Sequence, residues 1–114
     1  MRLPLLLALF LLALTPSRTG PTLTVLPSVG LAPLAIRVTG STPLKPADRL
    51  IEIVAVLDAD PAVVTHRTQH DVEAGRAMQT VSAHWTLEAG TYAVVLCVTG
   101  QAQGRCVERP VVAR

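Results

Sequence analysis

Apolar and polar residues alternate in short runs along most of the chain, and proline, glycine or aspartate separates one run from the next. Thr22 to Leu26 is a β-branched run closed by Pro27-Ser28 and predicts a first strand. From Leu34 to Thr39, Leu34, Ile36 and Val38 alternate with Ala35, Arg37 and Thr39. That period of two belongs to a half-buried strand, ending at Gly40. Ser41 to Asp48, with Pro43 and Pro46, predicts a loop. Leu50 to Leu57 is apolar on nearly every position, as expected of a central strand covered on both faces, and Asp58-Ala59-Asp60-Pro61 turns the chain.

Ala62 to His66 predicts a short further strand, and the polar stretch Thr68 to Arg76 a connection between sheets. Between Met78 and Leu87, the set Gln79, Val81, Ala83, Trp85 and Leu87 is the inward face. Glu88-Ala89-Gly90 turns into Thr91 to Val98, a β-branched run carrying Tyr92. The last strand, Cys106 to Ala113, contains Pro110, which has no N–H to give a ladder and so belongs at an edge or bulge. No helical period follows residue 17. About seven short strands with regular turn signals predict an all-β sandwich over residues 18–114.

Residues 1–17 read as a cleavable signal peptide rather than part of the fold. Arg2 supplies a positive start, and Leu5 to Leu14 is an unbroken apolar run. That run is far short of the roughly 20 residues a membrane-spanning helix needs. Thr15 and Ser17 offer the small residues of a cleavage site, and no cysteine follows for a lipid anchor. Removing 17 of the 114 residues takes away Arg2 and no acid, so the net charge falls from +2 to +1. The expected location is the periplasm or the medium of a bacterium, with no membrane span in the mature chain.

Composition narrows the function classes. Half the chain is apolar and only 16% is charged, which excludes a disordered chain. The near-neutral balance, and the loss of all aromatics but Trp85 and Tyr92 on cleavage, argue against nucleic-acid binding.

Cys97 and Cys106 are the only cysteines, and in an exported chain two cysteines pair. With Gln101-Ala102 at the tip of a hairpin, residues 97 and 106 fall opposite one another. A two-residue loop makes them a non-hydrogen-bonded pair, where the Cα atoms are closest and a bridge fits best; a four-residue loop makes the bridge more strained. The competing readings are free buried thiols and a metal site. A metal would need two further ligands that the C-x8-C spacing does not supply.

The segment Leu87-Glu88-Ala89-Gly90-Thr91-Tyr92 resembles the L-x-x-G-x-Y corner of bacterial immunoglobulin-like modules, including the polycystic-kidney-disease-type and fibronectin-like domains. Gly30-Leu31-Ala32-Pro33-Leu34-Ala35-Ile36 resembles the G-x-x-P-L-x-V opening of their second strand. The resemblance covers residues 22–113. It implies a sandwich in which the Tyr92 hydroxyl bonds backbone just upstream, with Trp85 and Tyr92 as core and corner residues. It departs from the antibody pattern in its cysteines, which would join neighbouring strands of one hairpin rather than the two sheets. The fold by itself implies no activity.

Candidate chemistry is sparse. His66-x3-His70 with Asp71 and Glu73, and the Asp58/Asp60 turn, are the groupings that could offer metal or calcium ligands. There is no G-x-S-x-G and no glycine-rich phosphate loop. No catalytic residue and no cofactor is expected. Ala93 and Val95 lie on the second apolar face of a strand whose first face already carries Tyr92, Val94, Leu96 and Val98, so they are the candidate binding surface. The expectation is a non-catalytic binding or structural module of the cell envelope. Its partner would be an envelope or extracellular protein, a polysaccharide, or a second copy through a strand edge. The alternative is a small metal- or calcium-dependent periplasmic protein using His66, His70 or the Asp58/Asp60 turn.

Overall fold

A computed structural model of the protein describes residues 20–100 and 104–114. The expected signal peptide and the hairpin tip at Gln101-Ala102 lie outside the described residues. Among those described, every regular element is a strand: β1 (Thr22–Leu26), β2 (Val29–Gly30), β3 (Leu34–Pro43), β4 (Asp48–Leu57), β5 (Val64–Asp71), β6 (Met78–Leu87), β7 (Gly90–Gly100) and β8 (Arg105–Ala113). They form a three-stranded sheet in the order β1-β3-β6 and a five-stranded sheet in the order β2-β8-β7-β4-β5. All pairings are antiparallel except β2 with β8.

The alternation read from the sequence is the alternation of burial. Leu34, Ile36 and Val38 of β3 and Val81, Ala83 and Leu87 of β6 point inward. They meet Ile51, Ile53 and Ala55 of β4 and Tyr92, Val94, Leu96 and Val98 of β7. The two inner faces together make one core, as packed sheets require.

Beyond shifts of one or two residues at strand ends, three features differ from the sequence expectation. β3 continues through Gly40 to Pro43 instead of giving way to a loop at Ser41. Gly40 is buried, and a Cβ there would run into Leu96 Cδ1 of the facing sheet, so this glycine admits a core side chain rather than ending a strand. The polar run through residue 71 is strand, not connection: β5 is the edge of its sheet, pairs only with β4, and needs few apolar positions. The connection between sheets is confined to residues 72–77. Finally, Val29 and Gly30 form a two-residue strand that pairs with Val112 and Ala113. Pro110 lies just before that pairing, where β8 has a neighbour on one side only.

Candidate functional site

β7 lies between β4 and β8 in the five-stranded sheet, so both of its edges are hydrogen-bonded and its side chains divide cleanly between two faces. Tyr92, Val94, Leu96 and Val98 are buried. Ala93, Val95 and Cys97 point outward and are half-buried. The register sets Val95 beside Val54 of β4, and Ala93 beside Val56. The outer face of this sheet thus has an aliphatic centre made of Val54, Val56, Ala93 and Val95.

Polar groups frame that centre on one side, while the row through Ala93 and Val56 ends on Pro110 and Val64. In the row through Val95, the outer positions are Arg67 on β5 and Glu108 on β8. In the next row Glu52 accepts a hydrogen bond from Gln69 Nε2 at 2.7 Å and pairs with Arg67 at 3.6 Å. An aliphatic centre with polar groups along part of its margin is a candidate protein-interaction patch. Val54 and Val56 were legible only indirectly: β4 is apolar on both faces, a pattern read as a covered central strand.

The disulfide joins Cys97 to Cys106 across the β7–β8 ladder, with Cα atoms 4.2 Å apart. That is the short spacing of a non-hydrogen-bonded pair. The bridge lies on the same outer face, one row from Val95 and next to Glu52. Cys106 is exposed.

Tyr92 is buried and its hydroxyl donates to the Glu88 carbonyl at 2.8 Å, fastening the turn that carries the chain from the three-stranded into the five-stranded sheet. Trp85 faces inward near the end of β6 and is only partly buried: β6 is the edge of its own sheet, and the strand facing it across the core, β5, is the edge of the other. There its ring meets His66 with centroids 5.3 Å apart.

The groupings that suggested metal ligation do not converge. His66 and His70 sit four residues apart on one strand, which separates them by about 13 Å, beyond the span of one ion. The His66 Nδ1 lies 3.0 Å from the Thr65 hydroxyl, and the Nε2 of His70 is buried without a hydrogen-bond partner. Asp60 receives a hydrogen bond from the amide of Ala62, and Asp58 is exposed in the same turn. Among the described residues no group of three His, Cys, Asp or Glu side chains is placed to hold a metal ion.

One charged pair was invisible in the sequence. Asp48, at the start of β4, is 3% exposed and takes both terminal nitrogens of Arg105, at 2.9 and 3.1 Å. Arg105 also donates to the Pro43 carbonyl at 2.9 Å, and the Lys45 amide donates to Asp48 at 2.7 Å. The Arg105 hydrogen bonds hold the Asp48 carboxyl below its ordinary value against the opposing effect of burial, and Asp48 in turn raises Arg105.

Among the described residues no helix is long and apolar enough to cross a membrane. No family model, no curated protein and no solved structure matches this chain.

Proposed function

We propose that this protein is an exported, immunoglobulin-like module of the bacterial cell envelope. It acts by binding rather than by catalysis, through the outer face of its five-stranded sheet. The observation that carries the reading is the aliphatic centre of Val54, Val56, Ala93 and Val95, which folding leaves half-buried on the outside of a finished sheet. Apolar side chains set side by side on the outside of a sheet offer a partner a surface to cover. The centre holds no titratable or nucleophilic group, which suits recognition and not chemistry.

Two features support the immunoglobulin-like part. The sheets split three strands against four long ones, with sequential strands crossing between layers. The Tyr92 hydroxyl bonds the Glu88 carbonyl four residues upstream, the contact expected from the L-x-x-G-x-Y resemblance. Export is supported by the disulfide, which persists in oxidising compartments, and by the signal-like residues 1–17. The partner is an envelope or extracellular protein, a polysaccharide or a second copy.

Affinity capture with the oxidised protein against envelope and medium fractions tests the reading, beside the variant Val95→Arg. A partner retained by the wild type and lost by a folded Val95→Arg supports it. If nothing is retained and sedimentation shows a monomer at all concentrations, the reading fails.

A further inference from the structure

At the end of the sandwich where β3 passes to β4 and β5 passes to β6, two connections enclose a cleft of about 660 Å³. This is within the size range of small-ligand sites. Its lining includes Leu44, Lys45, Arg49, Val72, Glu73 and Arg76. The walls are held in place: the Leu44 amide donates to the Ala77 carbonyl, and the Val72 amide to the Arg49 carbonyl. Buried Gln79 braces the second wall, donating to the Asp71 carbonyl and accepting from the Glu73 amide.

The charges in the cleft do not cancel. Its two carboxylates are both engaged, Asp48 with Arg105 and Glu73 with Arg76 at 3.0 Å. Lys45 and Arg49 have no carboxylate partner among the described residues. One terminal nitrogen of Arg49 donates to the Pro46 and Asp48 carbonyls, at 2.9 and 3.0 Å. Those bonds fix the plane of the guanidinium while its remaining N–H groups stay available. A planar fork held in place, in a cleft that Lys45 also lines, suits an oxyanion.

The backbone of the cleft does not suit an extended peptide, and recognition there falls to the side chains. The amides of Leu44, Lys45, Asp48, Val72 and Glu73 are all paired, leaving little for a strand to zip onto. We infer that this cleft is a binding site for an oxyanion, the phosphate or carboxylate group of a small ligand, held between Lys45 and Arg49. The site is at an end of the sandwich, and its occupancy is independent of the aliphatic face.

The test is a titration of the intact, oxidised protein at low salt, where exposed charges are least screened, followed through backbone amide chemical shifts. Inorganic phosphate and glucuronate are added in separate series. The expected result is saturable shifts confined to residues 44–49 and 72–76 with at least one of the two. The anion that saturates at lower concentration identifies the group. Arg49→Gln should weaken binding about tenfold, the loss of one charge-assisted hydrogen bond, and Val95→Thr should leave it unchanged. If Arg49→Gln loses its folded spectrum, the exposed Lys45→Gln decides, with a weaker loss expected. No saturation with either anion at millimolar concentration would overturn the inference. So would shifts spread evenly over Arg37, Arg67 and Arg109.

Discussion

The outer faces of the two sheets are built from different chemistry. On the three-stranded sheet the register lines up Thr22, Ser41 and Thr80 in one row and Thr24, Thr39 and Ser82 in the next. The Ser41 and Thr80 hydroxyls are 2.8 Å apart. Arg37 is the one charged residue among these outward positions of β3, with His84 beside it on β6. The corresponding rows on the five-stranded sheet place valine against valine and cysteine against cysteine. The hydroxyl face presents donors and acceptors that water satisfies, whereas water gains nothing from the valines. The three-stranded sheet keeps its exposed apolar side chains, Leu26 and Met78, at strand ends; the five-stranded sheet holds its outer apolar surface at the centre.

The fasteners divide the same way. The disulfide, the Asp48–Arg105 pair and the Tyr92 hydroxyl bond all involve strands of the five-stranded sheet. Among the described residues the three-stranded sheet has no disulfide or ion pair of its own; besides packing and cross-strand pairs it is tied to the rest through the Pro43 carbonyl and Gln79. The strongest way to break this asymmetry is Arg105→Leu, which strands the Asp48 carboxylate in a buried site. A loss of about 3–5 kcal/mol is expected in urea unfolding. A change below about 1 kcal/mol would show that the pair is structurally idle.

The pair also sets a pH window. Because the folded Asp48 carboxyl is held below its ordinary value of 3.8, its contribution is fully present above that value. It is lost as pH falls through the lowered folded value. The urea midpoint of the wild type should therefore drop on acidification below about pH 4 more steeply than that of Asp48→Asn. Parallel curves would assign the acid sensitivity to other carboxylates.

Replacing both Cys97 and Cys106 by alanine opens a loop of about ten residues, and a loss of about 2–3 kcal/mol is expected. Among the described residues the outer face of the three-stranded sheet has no counterpart to this bridge. Tyr92→Phe removes a single hydrogen bond and leaves the Glu88 carbonyl to water, for about 1 kcal/mol. An unchanged thermal midpoint would mean that ring packing alone holds the corner.

The smallest stability effects sharpen the contrast between faces most directly. Val95→Arg and Thr39→Arg each add one cation at an outward position of an inner strand. Each should change stability by about 0.5 kcal/mol or less. Association with a partner should be lost for Val95→Arg and retained for Thr39→Arg. Loss in both would indicate a general charge effect and not a defined face.

How much of this could be read from residues alone depended on whether a feature was local. The inward set of β6 and the opposition of Cys97 and Cys106 follow from a period of two within a few residues, and both were legible. β5 was only half legible because edge position, not side-chain pattern, makes Thr68 to Asp71 a strand. Gly40 signalled an end where the fold uses it to admit Leu96, a contact across sheets with no trace in local sequence. Asp48 and Arg105 lie 57 residues apart, one inside a proline-rich stretch and one in a hairpin. No spacing rule joins them. The candidate face was legible through β7 alone, and the neighbouring valines of β4 became part of it only once the register was known.

The short β2 strand has a mechanical consequence. It runs parallel to the end of β8, and three hydrogen bonds tie the segments: Val112 to Ser28, Ala32 to Arg114 and Arg114 to Gly30. Parallel neighbours near opposite ends of the chain carry tension in shear when those ends are pulled apart. The three bonds then bear the load together instead of opening one after another. The Cys97–Cys106 bridge caps the length released once they give way, because the segment between the cysteines stays closed.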